Sequence, residues 1–215
     1  RSTLFPYTTL FRSMGIIFRP KRQTKDIVFR LVFGNDRQAL LQLYNALHGT
    51  AYTDPHELQI VTLDNAIYIS RKNDLAFLLA GSINMYEHQS TLNPNMPVRF
   101  LIYLAQEYQL LVESMDKSLY GSELIPLPTP QCVVFYNGIV DTPDEYELRL
   151  SSAFSNQDVE PAVEVVVKVI NINYGHNEYL MQGCGMLSQY AQFVAATREY
   201  ANKYDNREEA MNAAI

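Results

Sequence analysis

Apolar residues recur at helical spacing near the start of the chain and give way to strand-like runs after residue 58. Thr24 can cap a helix carrying Ile27, Phe29, Arg30, Leu31 and Phe33. Gly34-Asn35-Asp36 interrupts it. A second helix is predicted from Arg37 to Leu47, with Leu40, Leu41, Leu43, Tyr44 and Leu47 at helical spacing and His48-Gly49 ending it. Leu58–Leu63 and Ala66–Ser70 read as short strands around Asp64-Asn65. Asp74–Ala80 is almost wholly apolar after its Asp, as a strand covered on both faces would be. A turn at Gly81-Ser82 returns the chain as a partner strand, Ile83–Gln89. Beyond the loop TLNPNMP, Val98–Glu113 has a helical apolar face of Leu101, Tyr103 or Leu104, Tyr108 and Leu111. Lys117–Pro130 is a Pro-rich connection. Gln131–Tyr136 is a buried strand stopped by Asn137-Gly138, ELRLSSAF (147–154) is strand-like, and Val163–Ile172 is a β-branched strand. Glu178–Tyr204 is helical. The order predicts one α/β domain with a mixed sheet.

Composition narrows the function classes. The 215 residues are 47% hydrophobic and 12% aromatic, enough for a sizeable core. Two cysteines, Cys132 and Cys184, give neither a disulfide framework nor metal spacing, and reduced core thiols fit a cytoplasmic protein. No run of about 18 apolar residues predicts a membrane span. The net charge of −6 weighs against a dedicated nucleic-acid binder, yet the charge is uneven. Residues 14–37 hold six basic and two acidic side chains, and residues 139–166 hold seven acidic side chains with Arg149 alone opposing them.

The ends stand apart. Residues 1–13, RSTLFPYTTLFRS, lack periodicity and lack the layout of a signal peptide. Thr3–Ser13 resembles what a sequencing-library adapter encodes. We therefore expect a non-native leader at 1–13, a catalytic-type domain over 14–175, and a C-terminal helical segment over 176–215 that is cut short, since NREEAMNAAI stops without a cap.

The chemistry gathers in KNDLAFLLAGSINMYEHQS (72–90). A hairpin centred on Gly81 brings Asp74 and Glu87 to its open end, and alternation puts Ile83, Met85, Glu87 and Gln89 on one face. Two converging carboxylates suit a hard divalent cation, which activates water and neutralises a phosphodiester. The plainer alternative is a turn-ending Asp74 and an exposed Glu87. His88 faces the other way and reads as a packed histidine, and His176 as a capping or packing residue. No P-loop, dinucleotide fingerprint or G-x-S-x-G elbow is present.

An Asp on one strand and an acid-x-Lys pair on the next, followed by a helix and a strand, resembles the PD-(D/E)xK nucleases. The segments KDIVFRLVFG, KNDLAFLL, NMYEHQSTLNPNMPVRFLIYLAQEY, LYGSELIPLPTP, VVFYNG, ELRLSSAF and NINYGHNEYLM are similar to the Rpn family of recombination-promoting nucleases and transposase-like proteins, over Met14–Ile215. The resemblance implies a restriction-endonuclease-like mixed sheet flanked by helices, and an Mg²⁺- or Mn²⁺-dependent DNA endonuclease tied to recombination or mobile elements. It implies that Asp74 and Glu87 hold the metal, with the His88 backbone carbonyl as a further ligand. It places Gln89 where the superfamily has Lys, to orient the attacking water. Asp26 is a candidate extra acid near the metal. Lys21, Arg22, Lys25, Arg30 and Arg99 are candidate DNA contacts. DNA is the expected partner, with a homodimer left open. Because Gln cannot supply the charge of Lys, a catalytically weak or inactive relative that binds DNA or protein is the alternative.

Overall fold

The computed structural model describes residues 24–61, 75–115 and 117–203, with the side chains of 24–27 and 201–203 outside that description. Contacts divide the chain into two compact units, one formed by residues up to Thr53 together with those from Ile172, the other by Asp54–Asn171.

In the first unit, helix α1 (Thr24–Asn35) is followed by α2 (Arg37–His48). Asp36 separates them as an N-cap, its carboxylate accepting from the Ala39 N–H at 3.0 Å. Gly49 closes α2 in the left-handed region at φ 64°. The predicted single C-terminal helix is two: α4 (Glu178–Gly183) and α5 (Gly185–Lys203). Cys184 breaks it with extended backbone. Gly183 lies against Ala46 of α2, where an added Cβ would come within 2.7 Å of the Ala46 Cβ. That approach is open only to glycine. Phe29 meets Phe33 and Tyr190 ring to ring within this unit.

The second unit is a six-stranded mixed sheet in the order β1-β2-β3-β4-β6-β5, where β1 is Gln59–Ile60, β2 Leu75–Leu79, β3 Ser82–Gln89, β4 Thr129–Tyr136, β5 Glu145–Arg149 and β6 Val166–Asn171. The mixed α/β class read from the sequence is therefore what forms. β3 and β4 run parallel over eight rungs, from Ser82–Thr129 to Gln89–Tyr136. The parallel step needs a crossover, and helix α3 (Met96–Ser114) supplies it.

Several boundaries differ from expectation for local reasons. Of the predicted strand Leu58–Leu63, Gln59–Ile60 is strand, while its last two residues and the predicted strand Ala66–Ser70 lie outside the described residues. The hairpin turns on Ala80 and Gly81, both at positive φ (50° and 74°), rather than on Gly81-Ser82. A two-residue loop with both centres left-handed matches the twist of its strands. It pairs Leu75 with Tyr86. Helix α3 begins two residues early because Pro97 is tolerated in a first turn. ELRLSSAF is strand only to Arg149 and then a 3-10 turn, Leu150–Ala153.

One face of the sheet, with Ala76, Ile83, Met85, Cys132, Val134, Tyr136, Val167 and Val169, packs against Met96, Phe100 and Tyr103 of α3. Alternation fixes this face, as predicted for residues 83 and 85. The buried stripe of α3 continues one turn beyond Tyr103 to Glu107. Glu107 is 2% exposed, and its Oε1 has no hydrogen-bond partner.

Two outcomes follow. Ala80→Asn, which tolerates the left-handed region better, raises stability by about 0.5–1 kcal/mol in thermal unfolding. Burial pushes the Glu107 carboxyl from 4.5 up to about 7. Below the lower value both folded and unfolded chains hold the proton, and Glu107 is neutral to stability. Between the two the unfolded chain releases it first, so stability falls as pH rises, and above the upper value the whole penalty is present. Glu107→Gln therefore raises the Tm at pH 8 and leaves it nearly unchanged at pH 4. The gain is at most about 3 kcal/mol, at roughly 1.4 kcal/mol per unit. An equal effect at both pH values would refute the assignment.

Candidate functional site

Glu87, His88 and Gln89 end β3, at the same edge as the close of β4, since Gln89 pairs with Tyr136 and its carbonyl accepts from the Asn137 N–H at 2.9 Å. The chain then loops and enters α3 at Met96. The first two turns of α3 thus return beside the end of β3, on the face that carries Met85, Glu87 and Gln89.

That return brings Arg99 onto Glu87. Arg99 Nη2 donates to Glu87 Oε2 at 3.0 Å. The carboxylate side chain is 4% exposed and the guanidinium 23%, so the acid lies beneath and the base reaches solvent. Arg99 also donates to the Tyr103 hydroxyl from Nη2 (3.0 Å) and Nε (3.3 Å), and its guanidinium carbon stands 5.6 Å from the centre of the Tyr103 ring. Spacing of four residues on one helix sets that contact. Nη1 lies 3.3 Å from Met96 Sδ.

We assign the Gln89 amide from its surroundings. Its oxygen accepts from Arg99 Nη1 at 3.0 Å, and its nitrogen donates to the Thr91 carbonyl at 3.3 Å. Glu87, Gln89, Arg99 and Tyr103 form one hydrogen-bonded cluster, with a planar guanidinium bridging three acceptors.

Of the residues singled out in the sequence, Glu87 and Gln89 share a face as expected. Asp74, Lys21 and Arg22 lie outside the described residues, as do the side chains of Lys25 and Asp26. Arg30 is exposed on α1. His88 is buried, 4% exposed, on the face opposite Glu87. Arg99, read as a DNA contact or a solvated side chain, is bonded to Glu87 and 23% exposed. Tyr103, read as core or groove wall, is both buried and bonded to Arg99. The cue available in the sequence was the four-residue step from Arg99 to Tyr103. Nothing in the strand pattern announced that the helix would come back over Glu87.

Among the described residues no group of three or more His, Cys, Asp and Glu side chains gathers to hold a metal. Of the expected donor side chains, Glu87 alone falls among the described residues. It offers hard oxygen, which suits Mg²⁺, but a cation there would share the carboxylate with Arg99. Burial pushes the Cys132 thiol up to about 12 and the Cys184 thiol up to about 11, so neither is a nucleophile near neutral pH. An apolar cavity of about 610 Å³ at Leu101, Leu150, Phe154 and Val163 carries no titratable group, and one of about 540 Å³ in the helical unit contains His176 and Glu178. Neither includes Glu87.

Compared with known proteins, the chain matches no family model, no curated protein and no solved structure. No helix among the described residues is long and apolar enough to cross a membrane.

A double-variant cycle tests the ion pair. Arg99→Ala leaves a buried carboxylate without its guanidinium and should cost about 2–5 kcal/mol in denaturant unfolding. Adding Glu87→Ala should recover at least about 1 kcal/mol of that loss. Strict additivity would mean the pair contributes nothing.

Proposed function

We propose that this chain is a divalent-metal-dependent DNA endonuclease of the PD-(D/E)xK kind. The observation that carries the reading is the burial of Glu87 at the end of β3, with Gln89 beside it on the same face and a cation bonded to both. Asp74 precedes Leu75, and the hairpin pairs Leu75 with Tyr86, the residue before Glu87. The resemblance to the Rpn family gives these positions their proposed roles and suggests a part in recombination or mobile-element biology.

In this reading Asp74, Glu87 and the His88 carbonyl would hold Mg²⁺ or Mn²⁺, which would activate water and neutralise developing phosphate charge when bound. The chain's own residues do the rest. The low exposure of Glu87 strengthens its interaction with any cation beside it. Arg99, partly exposed above it, faces an incoming phosphate. Lys21, Arg22, Lys25 and Arg30 are proposed to draw the DNA backbone to a chain that is acidic as a whole.

One observation favours a second reading. Arg99 already occupies Glu87 Oε2, as a structural ion pair would in a relative that binds DNA or protein without cleaving. Incubation of the protein with supercoiled plasmid separates the two. The nuclease reading expects nicking that requires Mg²⁺ or Mn²⁺ and stops with EDTA. It expects Asp74→Ala and Glu87→Ala each to lower nicking by about a hundredfold or more. Plasmid binding that ignores EDTA, with no nicking by either metal, would establish the binding module instead.

A further inference from the structure

We infer that Arg99 is the phosphate-binding cation of this site and that Gln89 is the residue that positions it. The inference rests on the nuclease reading above and names the group that meets the phosphodiester.

A lysine two residues after the strand acid would bring a mobile point charge to the reacting phosphate. Position 89 carries no charge here, and its amide is committed at both ends. The nitrogen donates to the Thr91 carbonyl, which turns the oxygen toward Arg99 Nη1. An amide held this way orients a guanidinium rather than a water. Glu87 Oε2 and the Tyr103 hydroxyl fix the other side of the same guanidinium. Five N–H donors in one plane hold the guanidinium in a fixed orientation between such anchors, whereas the three donors of Lys diverge from a single rotating point charge.

Exposure gives the direction of approach. The Arg99 side chain is 23% exposed while that of Glu87 is 4% exposed. An anion arriving from solvent therefore meets the guanidinium before the carboxylate. Nη1 lies 3.3 Å from the Met96 thioether, a weak acceptor, which a phosphate oxygen would displace. Lys at 89 would set two cations against each other. Gln89 and Arg99 are therefore a matched pair, with the positive charge moved from the strand to the helix.

Two assays on the chain test this. The first is binding of a short fluorescein-labelled DNA duplex with Ca²⁺ present, and the second is single-turnover cleavage with Mg²⁺. Arg99→Gln is expected to weaken binding about tenfold and slow cleavage about a hundredfold. Arg99→Lys falls between this variant and the wild type. Gln89→Leu slows cleavage about tenfold with little change in duplex affinity, because it frees the guanidinium without removing it. The double variant Gln89→Lys/Arg99→Gln, which returns the charge to the strand, regains at least about tenfold in cleavage over Arg99→Gln. Wild-type values for Arg99→Gln and Arg99→Lys in both assays would overturn the inference, as would a folded double variant that regains nothing. Should Arg99→Gln fail to fold, wild-type behaviour of both Arg99→Lys and Gln89→Leu overturns it. A wild type that binds duplex through Arg99 and cleaves nothing removes the nuclease reading and leaves Arg99 as the phosphate ligand. Cleavage at full rate without Arg99 does the reverse.

Discussion

A carboxylate buried at the end of a strand must be given a cation or hydrogen-bond donors, and Glu87 imposes that requirement on everything around it. Arg99 meets it from the second turn of α3. This ties three features together: the side of the sheet on which α3 lies, the rotation of α3 about its own axis, and the loop from Ser90 to Asn95 that must reverse the chain between them. Tyr103 and Gln89 then act as props for the guanidinium. Removing the acid would make the cluster pointless, and removing the arginine would make the acid intolerable.

The same requirement explains the exposure gradient. The carboxylate side chain is 4% exposed, and the guanidinium stands partly in water. A buried pair with one wet member costs less desolvation than a fully buried one. It also leaves the positive partner available to solutes. The geometry that gives Glu87 its counter-charge is also the geometry that shows a cation to solvent.

How much of this was legible in the sequence depended on the range of the interaction. Period-two alternation put Glu87 and Gln89 on the face with Ile83 and Met85, and the apolar run after Asp74 marked β2. The helix of residues 98–113 was visible, and Tyr103 is buried on it with Leu101, Leu104, Tyr108 and Leu111 packed at the edge of the core, but the buried Phe100 and Glu107 were not read. The charge on Glu107 hid that turn of the stripe. The turn was misplaced by one residue because Ala80, with no marked preference for positive φ, takes the first left-handed position. The approach of Gly183 to Ala46, beside the break at Cys184, escaped because the two residues are more than 130 apart in the chain. The partnership of Arg99 and Glu87 was hidden for the same reason, since it depends on where a helix lands.

Glu87 and Glu107 put the logic of the site in relief. Both are acids buried on the α3 side of the sheet unit, one on the strand and one on the helix. The first has a guanidinium at 3.0 Å. Among the described residues the second has no cation bonded to it, and its carboxyl is pushed up to about 7 by burial. Burial alone thus leaves an acid that gives up its charge, whereas burial with an anchored arginine supplies the anion a counter-charge. Among the described residues the cation bonded to Glu87 is Arg99, which Glu87, the Tyr103 hydroxyl and the Gln89 amide oxygen hold together.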